Sequence, residues 1–533
     1  MSWNRAKKLV LFFLCIYLIC FCLFFYSHPI KALSHWDWVR GINKDFNIYE
    51  RAARNFINDT NIYKDYKYRY PPFFAILFSA LLIFPAKFQV FIWVGLNIII
   101  TVLLWFLLLK YFPQGRKKYQ TITIAFLTII SSIPVLHNFK WGQVSILIFL
   151  LVLISYIAFK KEKFLISGLA LAIASSIKII PAIFLLFYMV NWKKKMLKLI
   201  KWFIIFFAFC LLLLPFSFLG YEKTCRYYET YYKRMTAKNE WVSYAVWNNQ
   251  TITGILFRYL SKDYALLKFR KTFPRFPNPP PHFLPLYTLL SRQEVRILGI
   301  FISLSLLTLT LYLSRKKHYL FEIFSEDDQD DLLFCLFISG FFVFTNQAWV
   351  HYYVFLILPY YLMFISLLKK DLKVYLFSFT LFFLSFIAIN GNIFLVKSTY
   401  LLELFEYLGL FYWTNVLLFL SLIFYLKREQ QLRMVLIIRN LVQQKKPFGE
   451  ITKILYPKEY LKLKEQRRCA KMIKKLDDRY QQLLQKGIDF KTAYSETYGC
   501  DKASIKKGIN LKIKKIWHLF EKSKNWTEDG TIK

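Results

Sequence analysis

The sequence predicts an all-α integral membrane protein with a basic helical appendage, and three observations carry that prediction. Of its 533 residues, 56% are hydrophobic and 20% are aromatic. Apolar runs long enough to cross a ~30 Å hydrocarbon core recur along most of the chain, more than one soluble core would need. Lys and Arg gather in short clusters between those runs, the pattern of cytoplasmic loops. The formal net charge of +41 is therefore distributed as loop charge. No aromatic-basic motif accompanies it, and nucleic acid is not an expected partner.

Taken in order, the first apolar run covers 9–25 and follows Arg5, Lys7 and Lys8. No small-residue cleavage site comes after it, so it reads as a retained anchor rather than a signal peptide. Further clusters fall at Arg116-Lys117-Lys118, Lys160-Lys161, Lys193-Lys194-Lys195, Arg315-Lys316-Lys317, Lys369-Lys370 and Lys427-Arg428. Placing all of them in the cytoplasm gives about twelve spans with both termini inside. Two short helices fit between Lys163 and Lys193, broken at Lys178 and Pro181. Spans at roughly 120–135 and 143–159 are joined by the polar stretch 137–143.

The apolar stretch 71–85 would reach only about 22 Å as helix, too short to span, and is expected to be re-entrant from the outer face. Two long loops then lie outside, 28–72 and 220–292. Residues 1–426 form the membrane domain, and 427–533 form a cytoplasmic tail of net charge about +15. Such a tail is drawn to anionic lipid headgroups. The eight cysteines are scattered, five of them inside apolar runs. Neither a disulfide framework nor a Cys-based metal site is expected.

The loop 28–72 is where chemistry is expected. It holds Asp37, Asp45, Asp59 and Asp65 among aromatics and closes on Arg69-Tyr70-Pro71-Pro72. A membrane protein rarely needs so long a connection merely to join two helices. Asp45 opens an amphipathic stretch with Phe46, Tyr49, Ala52, Ala53 and Phe56 on one face and Arg51, Arg54 and Asn55 opposite. From spacing alone Asp45 is a helix N-cap, a role compatible with catalysis. Asp37, between Trp36 and Trp38, is an interfacial anchor or a base. Lys178 either snorkels or faces a cavity with a partner. His351 and the patch Trp247-Asn248-Asn249-Gln250 with Arg258 sit at other turns assigned to the same membrane face. No Walker A loop, nucleotide-binding glycine fingerprint or His/Cys cluster occurs, which argues against a nucleotide-driven reaction and a resident metal.

The order of these residues resembles glycosyltransferase family 87. The resemblance rests on Asp45-Phe46-x-x-Tyr49-x-x-Ala52-Ala53-Arg54, Asn61-Ile62-Tyr63 and Tyr70-Pro71-Pro72 in the first loop. Gly142-Gln143, Lys178-x-x-Pro181, Asn249-Gln250 and Trp349-x-His351-Tyr352 follow in the family's order, over roughly 10–426. It implies a GT-C-type fold in a multi-pass protein of the cell's inner (plasma) membrane, with its active site extracytoplasmic. It also implies inverting transfer of a hexose, mannose in the typical members, from a polyprenyl-phosphate donor to a lipid-linked or glycan acceptor. No metal or nucleotide cofactor is implied.

Under this resemblance Asp45 is the general base and Asp37 the alternative. Lys178, Arg258 and His351 are the candidates to hold the donor phosphate, and Gln143, Asn249, Gln250 and Tyr70 complete the substrate-binding set. The chain departs from the family in its basic tail and in Lys140 and Trp141 beside Gly142-Gln143, which leaves the acceptor open. A lipid-linked sugar flippase or transporter is the alternative, and would more naturally show internal repeats and midplane charges.

Overall fold

The computed structural model describes residues 44–112, 120–236, 249–261, 290–315, 327–345, 348–368, 373–395 and 408–444, together with 467–486 and a few isolated positions. The expected first span at 9–25 and Asp37 lie outside the described residues. In chain order the helices are α1 (Lys44–Ile57), α2 (Pro72–Ser79), α3 (Ala86–Tyr111), α4 (Gln120–Trp141), α5 (Ser145–Lys160) and α6 (Phe164–Ile177). Then come α7 (Phe184–Asn191), α8 (Lys193–Ala208), α9 (Leu214–Leu219), α10 (Tyr221–Thr236) and α11 (Ile252–Leu260). The series ends with α12 (Arg292–Leu313), α13 (Asp327–Phe344), α14 (Ile357–Leu368), α15 (Leu376–Leu395), α16 (Leu410–Gln443) and α17 (Arg467–Gln485). Among the described residues there is no β-strand, only an isolated bridge between Ser261 and Leu290.

Among the described residues six helices are long and apolar enough to cross a membrane, and five shorter apolar helices accompany them. The chain is thus an α-helical, multi-pass membrane protein. It divides into two compact units, Met1–Tyr425 and Leu426–Lys533. The second contains α17, which buries Leu476 and Tyr480 and carries Lys474, Lys475 and Arg479 on the same amphipathic helix.

Within the first unit, α1 buries the stripe its periodicity dictates, with Phe46, Tyr49, Ala52 and Ala53 each at most 1% exposed. Pro72 starts α2 where a missing N–H costs nothing, and Pro85 precedes α3 in the same way. The apolar segment Pro72–Ile83 is short, as its length in the sequence requires. Tyr49 meets Phe74 edge-to-face at 5.0 Å, and Phe78 packs on Trp93 at 5.1 Å, locking α1, α2 and α3 into one aromatic core. Arg54 forks onto Glu50 one turn earlier and reaches Gln89 on α3 at 3.3 Å.

Small residues set the closest helix approach. A methyl group on Gly168 of α6 would sit 2.6 Å from Trp202 Cβ and 2.8 Å from the Phe203 amide of α8. Ser155 and Ser167 clasp α5 to α6: the Ser167 hydroxyl donates to the Ser155 carbonyl at 2.8 Å, leaving the Ser155 hydroxyl to donate back. Gly168→Ala is therefore expected to destabilise the protein by about 1–3 kcal/mol. The readout is a lower thermal midpoint in detergent, and an unchanged midpoint would mean that α6 and α8 do not pack this closely.

Two features position the site. Residues 137–141 are not a loop, because α4 runs through Trp141 and only 142–144 connect it to α5. Asn138 is accommodated by burial rather than by solvent: it is 1% exposed and donates to the Pro134 and His351 carbonyls, while Lys140 stays exposed. At the far end of α5, Lys160 pairs with buried Asp331 of α13 at 2.8 Å, with Tyr156 donating to the same carboxylate oxygen. Helix α5 is 16 residues long, so Lys160 lies about 22 Å from Ser145 along it. The two ends of α5 thus carry separate polar clusters.

Candidate active site

Gly142 turns the chain sharply between α4 and α5. Its φ of 66° is left-handed, and the Gln143 amide bonds back to the Asn138 carbonyl at 2.9 Å, closing α4 with a Schellman motif. Trp93 of α3 donates its indole N–H to the Gly142 carbonyl at 3.0 Å, fixing the turn from outside. Gln143 thereby projects toward the first turn of α1. Its amide Nε2 donates to the Asp45 carboxylate.

Asp45 stands inside the first turn of α1 rather than at its N-cap, since the helix already begins at Lys44. The capping expectation is corrected accordingly. Spacing shows where a carboxylate lies on its own helix, but its partner Gln143 is on another. A hydrogen-bond relay continues from there. Tyr49 donates to Gln143 Oε1 at 3.4 Å, and Tyr49 and Tyr70 hydroxyls are 2.7 Å apart. With the Tyr49 proton directed at Gln143, Tyr70 donates to Tyr49. Burial holds the Tyr49 phenol well above its ordinary pKa, and the Asp45 charge pushes the same way, so Tyr49 stays protonated. Burial likewise raises the Tyr70 pKa, while nearby Lys178 opposes the shift.

Lys178 terminates α6 in an extended conformation, before a 3₁₀ turn at Ile180–Ile183 that contains Pro181. Its Nζ donates to the Tyr352 hydroxyl at 3.0 Å and lies 5.1 Å from the centre of the Tyr70 ring. His351, 5% exposed, packs edge-on to Tyr352 and lies nearly parallel to His137 at 6.0 Å. A cavity of about 940 Å³ opens among these groups, with Asp45, Tyr70, Gln143, Lys178, Trp349 and His351 all on its wall. Beyond Lys178 and Tyr352 a narrow apolar slot continues, lined by Ile180, Pro181 and Phe184.

The rest of the wall comes from the loop 58–71 and α10. Asn61 and Asp65 side chains accept from the amides of Tyr63 and Lys67, each at 2.9 Å, so the loop is a series of Asx turns. Helix α10 fastens it. Arg234 donates to the carbonyls of Tyr63, Asp65 and Tyr68, Tyr227 donates to that of Thr60, and Lys223 pairs with Asp59. Tyr231 also reaches the cavity, its pKa pushed up to about 12 by burial.

Asn249, Gln250 and Arg258 are not on the cavity wall. All three are fully buried. Asn249 Oδ1 accepts from the Ala348 amide at 3.1 Å, the Gln250 amide donates to the Ala348 carbonyl at 2.7 Å, and Arg258 donates to the Asn249 carbonyl at 3.0 Å. Ala348 directly precedes Trp349, so these residues brace the turn that carries Trp349 and His351. Tyr49 and Tyr352 are the functional candidates missing from the sequence-derived set. Tyr49 reads as core because it lies on the apolar stripe of α1. Among the described residues no group of three His, Cys, Asp or Glu side chains forms a possible metal site.

The model of glycosyltransferase family 87 matches residues 68–275. Over that stretch the chain is similar to the glycosyltransferases of family 87. No curated protein and no solved structure matches it. The family 87 stretch includes Tyr70, Gln143, Lys178, Asn249, Gln250 and Arg258, while Asp45 lies before it and His351 after it. The cavity therefore joins walls from inside and outside the matched stretch.

Removing the Tyr49 hydroxyl isolates the relay. In Tyr49→Phe the Gln143 amide loses the hydrogen bond that fixes its orientation, and transfer is expected to fall about tenfold, the worth of roughly 1–1.5 kcal/mol. Unaltered kcat/KM in a variant of normal stability would show that Gln143 needs no such support.

Proposed function

We infer that this protein transfers a hexose, mannose by family resemblance, from a polyprenyl-phosphate donor to a lipid-linked or glycan acceptor. The reaction inverts the anomeric carbon and takes place at the extracytoplasmic face. One observation carries the reading: a single cavity holds Asp45 and Lys178 on its wall, joined by the Gln143–Tyr49–Tyr70 relay. Asp45 takes the proton from an acceptor hydroxyl as that oxygen bonds to the anomeric carbon. The bond from that carbon to the phosphate oxygen breaks, and the electron pair leaves with the lipid phosphate. This leaving group gains one negative charge, which the Lys178 ammonium beside the Tyr352 hydroxyl is placed to stabilise. The apolar slot beyond Lys178 suits the first carbons of the polyprenyl chain. In the second unit, the basic residues of the tail meet anionic headgroups.

The test supplies purified protein with radiolabelled polyprenyl-phosphate mannose or GDP-mannose and a glycolipid acceptor extract. Label should move to the acceptor from the lipid donor alone. Transfer from GDP-mannose alone would contradict the donor class. Passage of intact polyprenyl-phosphate mannose across proteoliposomes without transfer would favour the flippase.

A further inference from the structure

The cavity and the apolar slot meet at Lys178, Ile180 and Tyr352, which line both. A prenyl-phosphate sugar has the same division, with a polar sugar, an apolar chain and a phosphate between them. With the sugar in the cavity and the chain in the slot, the phosphate falls at the junction. Of the three shared residues Lys178 is the cation. The donor phosphodiester carries one negative charge there, and the leaving lipid phosphate carries two.

Helix α5 begins beside this junction. Gln143, just before the helix, is on the cavity wall, whereas Ser145 and Ile148, one turn apart on one face of α5, are on the slot wall. Ser145 is fully buried, and its hydroxyl has no hydrogen-bond partner among the described residues. A buried hydroxyl left unpaired is costly, so its position between slot and cavity points to a ligand that would satisfy it. The start of the helix has the same character. Val144 at the N-cap makes no side-chain capping bond, and no acidic residue stands in the first turn. The first bond of the helical ladder runs from the Ile148 amide to the Val144 carbonyl at 3.1 Å. The amides of Ser145, Ile146 and Leu147 therefore have no helical carbonyl to donate to. They form the positive end of the α5 dipole, worth roughly half an elementary charge.

We propose that the Ser145 hydroxyl and the opening amides of α5 complete, with Lys178 and Tyr352, a seat for the lipid phosphate. The proposal rests on the cavity being a transfer site, and adds to it the groups that receive the leaving group's second charge. As the bond to the anomeric carbon breaks, its electron pair stays on the phosphate oxygen, while the acceptor proton passes to Asp45. The new charge then meets a hydroxyl and helix amides already in place. Apart from Ser145, Lys178 and Tyr352, the slot is lined by apolar side chains, Phe184, Phe341 and Phe355 among them. Walls of that kind keep water from competing for the charge-assisted hydrogen bonds.

The test is equilibrium binding of farnesyl phosphate and farnesol to purified full-length protein, beside the thermal midpoint of each ligand-free variant. Ser145→Ala should bind farnesyl phosphate about tenfold more weakly than wild type, the worth of one hydrogen bond to a charged group. Lys178→Ala should bind it more weakly as well. Farnesol should bind wild type and Ser145→Ala alike. The midpoint of ligand-free Ser145→Ala should be unchanged or higher, because the hydroxyl has no partner to lose. Absent binding of farnesyl phosphate to wild type, or equal affinity in Ser145→Ala, would overturn the proposal. So would farnesol weakening in step, or a lowered midpoint, since either gives Ser145 a purely structural role. If the binding result fails while wild type transfers mannose from polyprenyl-phosphate mannose, the Ser145 seat alone is wrong. If the binding result holds and that transfer fails, the parent reading is wrong.

Discussion

Asp45→Asn is expected to lower glycosyl transfer by about 10²–10⁴-fold while donor binding stays near wild type, because the amide keeps the shape but not the basicity. Kinetics and donor binding on the same preparation check it. The reason lies in the wall opposite. Gln143 Nε2 donates to the Asp45 carboxylate, and its Oε1 is occupied by the Tyr49 hydroxyl. That arrangement holds the carboxylate on the cavity wall. In Asp45→Asn the amide oxygen can still accept from Gln143 Nε2, but the second carboxylate oxygen is replaced by an NH2 that cannot take a proton. Transfer at the wild-type rate would remove Asp45 as base and turn attention to Asp37.

Lys178→Ala is expected to reduce kcat by about 10²–10³-fold, the typical cost of losing one pre-positioned group that stabilises developing charge. Lys178→Arg should recover part of this loss, since the charge is kept but its geometry changes. The residue is held by an extended break between α6 and the following 3₁₀ turn, with the Tyr352 hydroxyl at 3.0 Å. The variant should be compared at saturating donor, so that weaker binding is separated from slower chemistry. An unaffected kcat and donor KM would count against any phosphate role.

Much of the helical architecture follows from patterns that are local in sequence. The stripe from Phe46 through Ala53 is apolar at helical spacing, and it is the stripe that α1 buries. Pro181 and Lys178 interrupt an apolar run, and α6 ends there. The polar residues from His137 to Trp141 misled because polarity commonly marks a loop. Here Asn138 is satisfied by carbonyls at Pro134 and at His351, the latter more than two hundred positions away.

The same limit applies to the site. Asp45 meets Gln143 across 98 positions, a contact that no spacing rule reaches. Arg258 looks in sequence like any cation near polar residues, yet it is fully buried and supports Asn249. Tyr49 was hidden for the opposite reason: a phenol on an apolar stripe reads as core until its hydroxyl is seen beside Gln143 and Tyr70.

The most direct measurement is an electron cryo-microscopy structure of the Asp45→Asn protein with polyprenyl-phosphate mannose bound. The account predicts the phosphate within hydrogen-bond reach of Lys178 Nζ, the first polyprenyl carbons entering the slot beside Ile180 and Phe184, and the anomeric carbon facing residue 45 across space for an acceptor hydroxyl. Donor bound outside this cavity, or with its anomeric carbon turned away from residue 45, would contradict it.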